Sequence, residues 1–330
     1  MKAPRKEDNP GWCGLKMPLH NGKIPLVVIL GPTAVGKTEL SLELAEKFNG
    51  EIVSADSRQL YRGMDIGTAK PTLEERRRVP HHLIDVADPD DVWSLAVYQN
   101  AAREAIRDIY HRGRTPFLVG GTGQYIWSLI QGWQPPEFEP DPHIRQVMER
   151  WGRNIGSEEL HRQLAGLDSD AAAKIEPRNL RRILRALEVI FFTGRRFSEQ
   201  RKRVESIYDP LLIGLTRPRN ELYARVDERI DKMLADGWVA EVSGLLAQGN
   251  DANLSALSAI GYREICAFLS GKTTLVEAVM KIKRQTRVFV RRQSNWFKLD
   301  DPSIHWFMMD DETIHSVTTL IHAFLTGDNG

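Results

Sequence analysis

The sequence predicts an α/β protein: a three-layer core built on a parallel sheet, with a mostly helical insertion. Short apolar runs of strand length alternate with amphipathic stretches of helix length, which is how a parallel sheet covered by helices is encoded. The first run, Ile24–Leu30, leads into a glycine-rich turn that opens a helix. After Gln134 the alternation stops, and it returns only at Leu211.

Taken in order, the candidate strands are Ile24–Leu30, Glu51–Ala55, His82–Val86, Thr115–Val119 and Leu211–Leu215. A helix from about Gly36 to Phe48 follows the first strand, with Leu40, Leu44 and Phe48 on one face, and Asn49-Gly50 ends it. A second helix starts at the cap candidate Ser94 and stops at Gly113, with Val97, Ala101, Ala105 and Ile109 as its core-facing stripe. Gln134-Pro-Pro-Glu-Phe-Glu-Pro-Asp-Pro142 is an acidic, proline-rich connection into the insertion. Past Asn220 the chain reads as largely helical, ending in a long stretch from about Thr274 to Trp296. The expected organisation is a flexible leader over 1–23, an α/β core over 24–137 and 207–310, a helical insertion over 138–206 and a C-terminal tail over 311–330.

With 330 residues, 42% of them hydrophobic, the chain can bury a substantial core. Its net charge is only +1, so a polyanionic partner must be gripped by local Lys and Arg clusters rather than by a global field. Cys13 and Cys266 stand far apart, which excludes a disulfide framework and the common paired-cysteine zinc sites. No apolar run approaches the roughly 20 residues that span a bilayer, and the first 23 residues lack the apolar segment of a secretory signal. The expectation is a cytoplasmic monomer with no membrane partner.

Gly31-Pro-Thr-Ala-Val-Gly-Lys-Thr38 is a complete G-x-x-x-x-G-K-[ST] sequence in the strand-to-helix context such a loop requires. Its glycines let backbone N–H groups close around phosphate oxygens at a helix N-terminus. Lys37 adds a point charge, and the Thr38 hydroxyl is a candidate Mg²⁺ ligand. The core is therefore expected to be of the P-loop type. Nucleotide hydrolases usually set an Asp at the end of another strand to help hold the metal. Here Thr115–Val119 runs into Gly120-Gly-Thr-Gly123 with no carboxylate, and Asp56, ending the second strand, is the nearest alternative. A phosphate cradle with one acid suits displacement of diphosphate aided by a general base better than nucleotide-driven work.

Several further blocks carry a resemblance. Asp56-Ser-Arg-Gln-Leu-Tyr61, Gly63-Met-Asp-Ile-Gly-Thr-Ala-Lys-Pro71, Pro80-His-His-Leu-Ile-Asp85, Leu118-Val-Gly-Gly-Thr122, Arg185-Ala-Leu-Glu-Val189, Gly261-Tyr-Arg263 and Arg284–Phe297 look like the motifs of tRNA dimethylallyltransferases, in the family's order over about residues 24–300. The resemblance implies alkyl transfer from dimethylallyl diphosphate to N6 of the adenine 3′-adjacent to the anticodon, in tRNAs reading U-starting codons. The adenine amine is a weak nucleophile that needs a positioned base, and diphosphate needs cations as it leaves. Asp56 is similar to the family's base, and Thr122 to the residue that hydrogen-bonds near the amine and the diphosphate. Arg229, four residues after Arg225 and so on the same helix face, resembles the residue that grips the departing diphosphate.

By the same resemblance the donor sits on Gly31, Thr33, Ala34, Val35, Gly36, Lys37, Thr38 and Arg225, with Mg²⁺ at Thr38. The anticodon stem-loop is implied to touch Asp56, Ser57, Arg58, Gln59, Thr122, Arg145, Arg181, Arg182, Arg185, Gly261, Tyr262 and Arg263. Ser258 stands where the family often carries Arg. His81 is a further pocket candidate, although paired histidines are often packing or capping groups. Two basic clusters suit an RNA backbone: Lys174, Arg178, Arg181, Arg182 and Arg185 in the insertion, and Lys281, Lys283, Arg284, Arg287, Arg291 and Arg292 on the long helix, where Glu277 is the only acid nearby in sequence. Such runs also form ordinary solvated faces. Trp93, Trp127, Trp133 and Trp151 read either as an isoprenoid path or as packing. Three other functions share parts of this pattern: a prenyltransferase of free adenine nucleotides, a small-molecule kinase and an RNA-binding protein with a relic loop.

Overall fold

The computed structural model describes residues 19–20, 22–135, 142–200 and 202–327. Cys13, most of the leader and 136–141 of the proline-rich connection lie outside the described residues. The elements run β1 (Ile24–Leu30), α1 (Lys37–Lys47), β2 (Gly50–Ala55), α2 (Leu73–Arg78), β3 (His81–His82), α3 (Leu95–His111), β4 (Thr115–Gly120) and α4 (Gly123–Ile130). Then come β5 (Trp133–Gln134), α5 (Pro142–Ile155), α6 (Ser157–Leu167), α7 (Ser169–Ala172), α8 (Leu180–Thr193) and β6 (Lys202–Arg203). The chain finishes with β7 (Tyr208–Thr216), α9 (Arg219–Ala235), α10 (Trp238–Ala247), α11 (Tyr262–Leu269), α12 (Leu275–Gln293), β8 (Ile304–Met308) and α13 (Thr313–Thr326).

Two compact units result: Met1–Ile130 with Ser206–Gly330, and Gln131–Glu205. The first is the α/β core. Its six strands are all parallel, in the order β3-β2-β4-β1-β7-β8. Central β1 is buried on both faces (Leu26 to Leu30 all 0% exposed), hence its unbroken apolar run. Helices α1 and α13 pack on the sheet and on each other, and α3 and α4 form a second such pair.

The differences from the sequence reading have local causes. The third strand is only His81–His82 instead of His82–Val86. Leu83 and Asp85 take positive φ (61° and 55°), because the chain turns there to place Asp85 against Lys70 and Arg76. In α3 the buried residues are Tyr98, Gln99, Ala102, Ile106 and Ile109, while Val97 is exposed. A strict four-residue stripe drifts around a 3.6-residue helix, so the core face lies one position away from the expected one. Strand β8 and helix α13 were not expected. Ile304, Val317 and Ile321 join the main core, so much of 311–330 is a packed helix.

The second unit has its own apolar centre, with Leu160, Leu164, Ile183 and Leu187 fully buried between α6 and α8. Its ends are joined by the antiparallel pairs Trp133↔Arg203 and Gln134↔Lys202. Asp168 ties α7 to Ser198 by accepting from the Ala171 N–H and from the Ser198 N–H and hydroxyl.

Candidate active site

The loop between β1 and α1 has its carbonyls occupied by cations. Lys37 Nζ donates to the Gly31 and Pro32 carbonyls at 3.1 and 2.8 Å. Arg225 Nε donates to Ala34 O at 2.9 Å and Arg217 Nε to Val35 O at 3.0 Å. Ala34 and Gly36 sit at positive φ (66° and 114°), curling the loop into the first turn of α1, whose leading N–H groups have no intrahelical acceptor. Gly31 (φ 149°) cannot be larger, because a Cβ there would lie 2.6 Å from the Leu215 carbonyl of β7. This arrangement presents backbone donors and cationic side chains to an anion. Thr33 is the exception, since its N–H is taken by Gln293 Oε1 at 2.9 Å.

Asp56 follows β2, yet β4 stands between β2 and β1. It reaches the loop across a tip stripped of side chains. A Cβ on Gly120 would meet Ala55 O at 2.2 Å, and one on Gly121 would meet Gln293 Nε2 at 2.4 Å. Thr122 closes this turn: its N–H donates to Ala55 O (3.2 Å) and its Oγ1 accepts from the Ser57 N–H (3.3 Å). Asp56 Oδ1 accepts from the Arg58 N–H at 2.8 Å, which fixes the carboxylate's direction.

Lys37, Arg229 and Asp56 share one electrostatic environment. Burial, reinforced by Arg229 and opposed by Asp56, brings the Lys37 ammonium down to about 8. Burial likewise lowers the Arg229 guanidinium from its ordinary value, with Asp56 opposing and Arg225 adding to the shift. Two desolvated cations thus face one carboxylate, a combination suited to receiving a polyphosphate beside a base. A cleft of about 1110 Å³ opens here, lined by Lys37, Thr38, Arg225 and Arg229 among others.

The segment from Asp56 to Pro71 is held by groups that the sequence reading did not single out. Buried Lys70 donates to Tyr61 O (2.8 Å), Asp65 Oδ1 (2.6 Å) and Asp85 Oδ1 (2.5 Å), and Arg76 binds the other Asp85 oxygen at 2.7 Å. Burial would raise the Asp85 carboxyl, but these two cations outweigh it and hold it below its ordinary value. Glu241 accepts from the N–H groups of Asp65, Ile66 and Gly67 and from the Tyr262 hydroxyl at 2.6 Å. The convergence was invisible in sequence because three of the four donors lie about 175 residues from the carboxylate that gathers them.

Some expected RNA contacts are placed differently. Tyr262 is 0% exposed with its hydroxyl on Glu241, so it supports the segment from the inside rather than presenting a surface. Gly261 (φ 95°) lies under Trp238, where a Cβ would come within 2.0 Å of the ring. Arg263 remains half on the surface, bonded to Glu264 and Gln285. Arg58 reaches the Ser255 carbonyl (2.7 Å) and the Ser258 hydroxyl (3.4 Å), so Ser258 partners a residue of the Asp56 motif. The Gln59 amide is directed inward, to Ser54, Thr68 and Ala69. His81 packs at the sheet edge with its ring on Val79 O (2.8 Å), burial lowering its proton affinity. Trp93 and Trp127 pack against the core, Trp151 against the second unit's centre, and Trp133 beneath Arg203 at 6.0 Å.

The two basic clusters also differ in company. On α12, Lys283 and Arg287 pair with Asp231 and Asp227 of α9, and Lys281 lies 3.7 Å from Glu264. Glu277 is thus not the sole acid nearby, since α9 and α11 supply three more, while Arg284, Arg291 and Arg292 are exposed. In the second unit, Arg181 and Arg182 are exposed on α8, Arg185 pairs with Glu188 at 2.8 Å, and Arg145 lies 3.7 Å from Glu149.

The chain is similar to known proteins in sequence and in fold. The IPP transferase family model matches residues 59–300 and an isopentenyl transferase model matches 24–85. A tRNA dimethylallyltransferase of Roseiflexus sp. is 54% identical over 275 residues, 83% of this chain and 90% of that protein. One from Thermomicrobium roseum is 51% identical over 84% of each chain. The crystal structure of a Bacillus halodurans tRNA isopentenylpyrophosphate transferase superposes with a TM-score of 0.70 at 41% identity, covering 92% of this chain and 98% of that one. A eukaryotic dimethylallyltransferase acting on tRNA gives 0.78 at 28% identity, covering 92% and 80%. With the family model matching from the Asp56 motif through the last turn of α12, and with relatives above half identity over most of their length, the chain belongs to the IPP transferase family, the tRNA dimethylallyltransferases.

Proposed function

We propose that this protein transfers a dimethylallyl group from dimethylallyl diphosphate to N6 of the adenine 3′-adjacent to the anticodon, in tRNAs that read codons beginning with U. The observation that carries the reading is Asp56 in the same electrostatic environment as the half-buried cations Lys37 and Arg229 at the phosphate loop. The N6 lone pair attacks C1 of the donor and the C–N bond forms. The C1–O bond breaks with its electrons going to diphosphate, and the N6 proton passes to Asp56. One Asp56 oxygen is held by the Arg58 N–H, leaving the other to take that proton. The Thr122 oxygen accepts from Ser57, so its hydroxyl hydrogen can point at the reacting groups. Lys37, Arg225 and Arg229 balance the charge that grows on the leaving diphosphate.

Thr38 offers a hard hydroxyl oxygen at the first turn of α1, and among the described residues no three His, Cys, Asp or Glu side chains group to hold a metal alone. That donor set fits Mg²⁺, which retains water and binds largely through substrate phosphate oxygens. When bound there, the ion supplies additional positive charge to the diphosphate.

The anticodon stem-loop is the proposed polyanion for Arg181, Arg182 and the exposed arginines of α12, with the target base leaving its stack to reach Asp56. The protein is proposed to act as a cytoplasmic monomer; no helix among the described residues is long and apolar enough to cross a membrane. Incubation with unmodified tRNA, labelled dimethylallyl diphosphate and Mg²⁺, followed by nucleoside analysis, tests the reading. Label is expected on the adenine next to the anticodon and not on free AMP. Label on AMP, or stoichiometric consumption of ATP, would overturn it.

A further inference from the structure

The helical unit contains a recess of about 370 Å³ between α5 and α8. Its floor is apolar, formed by Met148, Leu180 and Leu184, and arginines 145, 153 and 181 stand around it. Glu188 lies at its inner wall with only 2% of its surface exposed. One Glu188 oxygen, Oε2, accepts from Arg185 at 2.8 Å. The other, Oε1, is buried without a hydrogen-bond partner, the Arg145 guanidinium being 4.0 Å away. Leaving a buried carboxylate oxygen unsatisfied is costly, so its persistence here calls for an occupant.

We infer that this recess binds a second unstacked nucleobase of the RNA, one that presents an amino group to Glu188. The chemistry selects among occupants. A phosphate group would meet the Glu188 carboxylate and an apolar floor, both unfavourable to it. A flat heteroaromatic ring can lie on Leu180 and Leu184, stack beneath a guanidinium and donate an N–H to Oε1. The surrounding arginines would hold the flanking phosphates while the buried carboxylate reads the base. The inference rests on the proposed RNA substrate and adds to it a position of base recognition separate from the target adenine. It also gives a use to Glu188, the acidic member of Arg185-Ala-Leu-Glu-Val189.

The test is an abasic scan of the anticodon loop. Stem-loops lacking one base at a time are titrated against the wild-type protein, Glu188→Met and Leu184→Ala. Glu188→Met keeps the side-chain volume and removes both acceptors; Leu184→Ala trims the floor and leaves the charges in place. For wild type, affinity should fall about tenfold at one position besides the target adenine, within the range for loss of a stacked, bonded base. Both variants should lose that second sensitivity and keep the one at the target. Replacing the base there by its deamino analogue should cost wild type several-fold and Glu188→Met nothing. Thermal unfolding confirms that each variant is folded. The inference fails if wild type shows no second sensitive position, or if the cost there is equal in all three proteins, in which case Glu188 serves only to order the arginines. Absence of any binding or prenylation of the intact stem-loop by wild type would instead remove the RNA substrate itself, a result separable because the target position belongs to the same scan.

Discussion

Gln293 and Thr33 join the last turn of α12 to the phosphate loop: Gln293 Oε1 accepts the Thr33 N–H at 2.9 Å, while its Nε2 donates to the Gly121 carbonyl at 3.2 Å. One orientation of the amide satisfies both partners, and a carboxylate or an alkyl group cannot. The two turns that carry Lys37 and Thr122 are therefore spaced by a single buried side chain. Gln293→Leu should cost about 1–3 kcal/mol of stability through the stranded amide and carbonyl, measured by denaturant unfolding. It should also lower kcat by up to about 10²-fold through misplacement of the reacting groups, with tRNA affinity little changed.

Asp56→Ala should reduce the rate of transfer by about 10²–10⁴-fold, the usual cost of losing a general base, while tRNA binding stays within a few-fold. Single-turnover kinetics beside filter binding separates the two. Near-normal turnover would make Asp56 a structural turn residue.

Lys37 sets an alkaline limit. Its proton affinity lies at about 8 because burial and Arg229 outweigh Asp56. In the free enzyme the ammonium should lose its proton above that pH, and kcat/KM for dimethylallyl diphosphate should fall. The diphosphate charge raises the affinity of Lys37 for its proton once bound, so kcat should hold to higher pH. For stability the sign is opposite to that of a paired lysine. The unfolded chain binds this proton more tightly, so the charged form costs stability below about pH 8 and that cost fades as pH rises towards 10.5. Lys37→Met should remove the alkaline limb at much reduced affinity for the donor, as pH–rate profiles will show.

Neutralising Arg181, Arg182 and Arg185 together should weaken tRNA binding and flatten its salt dependence, by about 0.7–0.9 in logarithmic slope for each phosphate that is no longer neutralised. Arg185 should contribute least, since Glu188 already holds it. Affinity for dimethylallyl diphosphate should not change. A triple variant whose binding falls as steeply with salt as wild type would assign these charges to a solvated face.

Legibility followed the range of the interactions. The turn from β1 into α1 was readable because a strand, a turn and a helix start are written in consecutive residues, and β1 and the Leu211–Leu215 part of β7 because their burial leaves apolar runs. The truncation of β3 was not, since it depends on Asp85 meeting Lys70 from fifteen residues away. The acids that neutralise part of α12 come from α9, more than fifty residues earlier, and Gln293 reaches Thr33 across 260. Tyr262 was expected to touch RNA because of its motif, whereas the half-buried Glu241 carboxylate determines where its hydroxyl goes.

The antiparallel pairing of Trp133 with Arg203 and of Gln134 with Lys202 brings the incoming and outgoing chain of the helical unit side by side. The six-stranded sheet therefore experiences about seventy residues as if they were one hairpin. An insertion closed at its base in this way can be lengthened, shortened or exchanged between relatives at little entropic cost to its host. Under the proposed function, this lets RNA contacts vary in the inserted module without altering the phosphate site of the core.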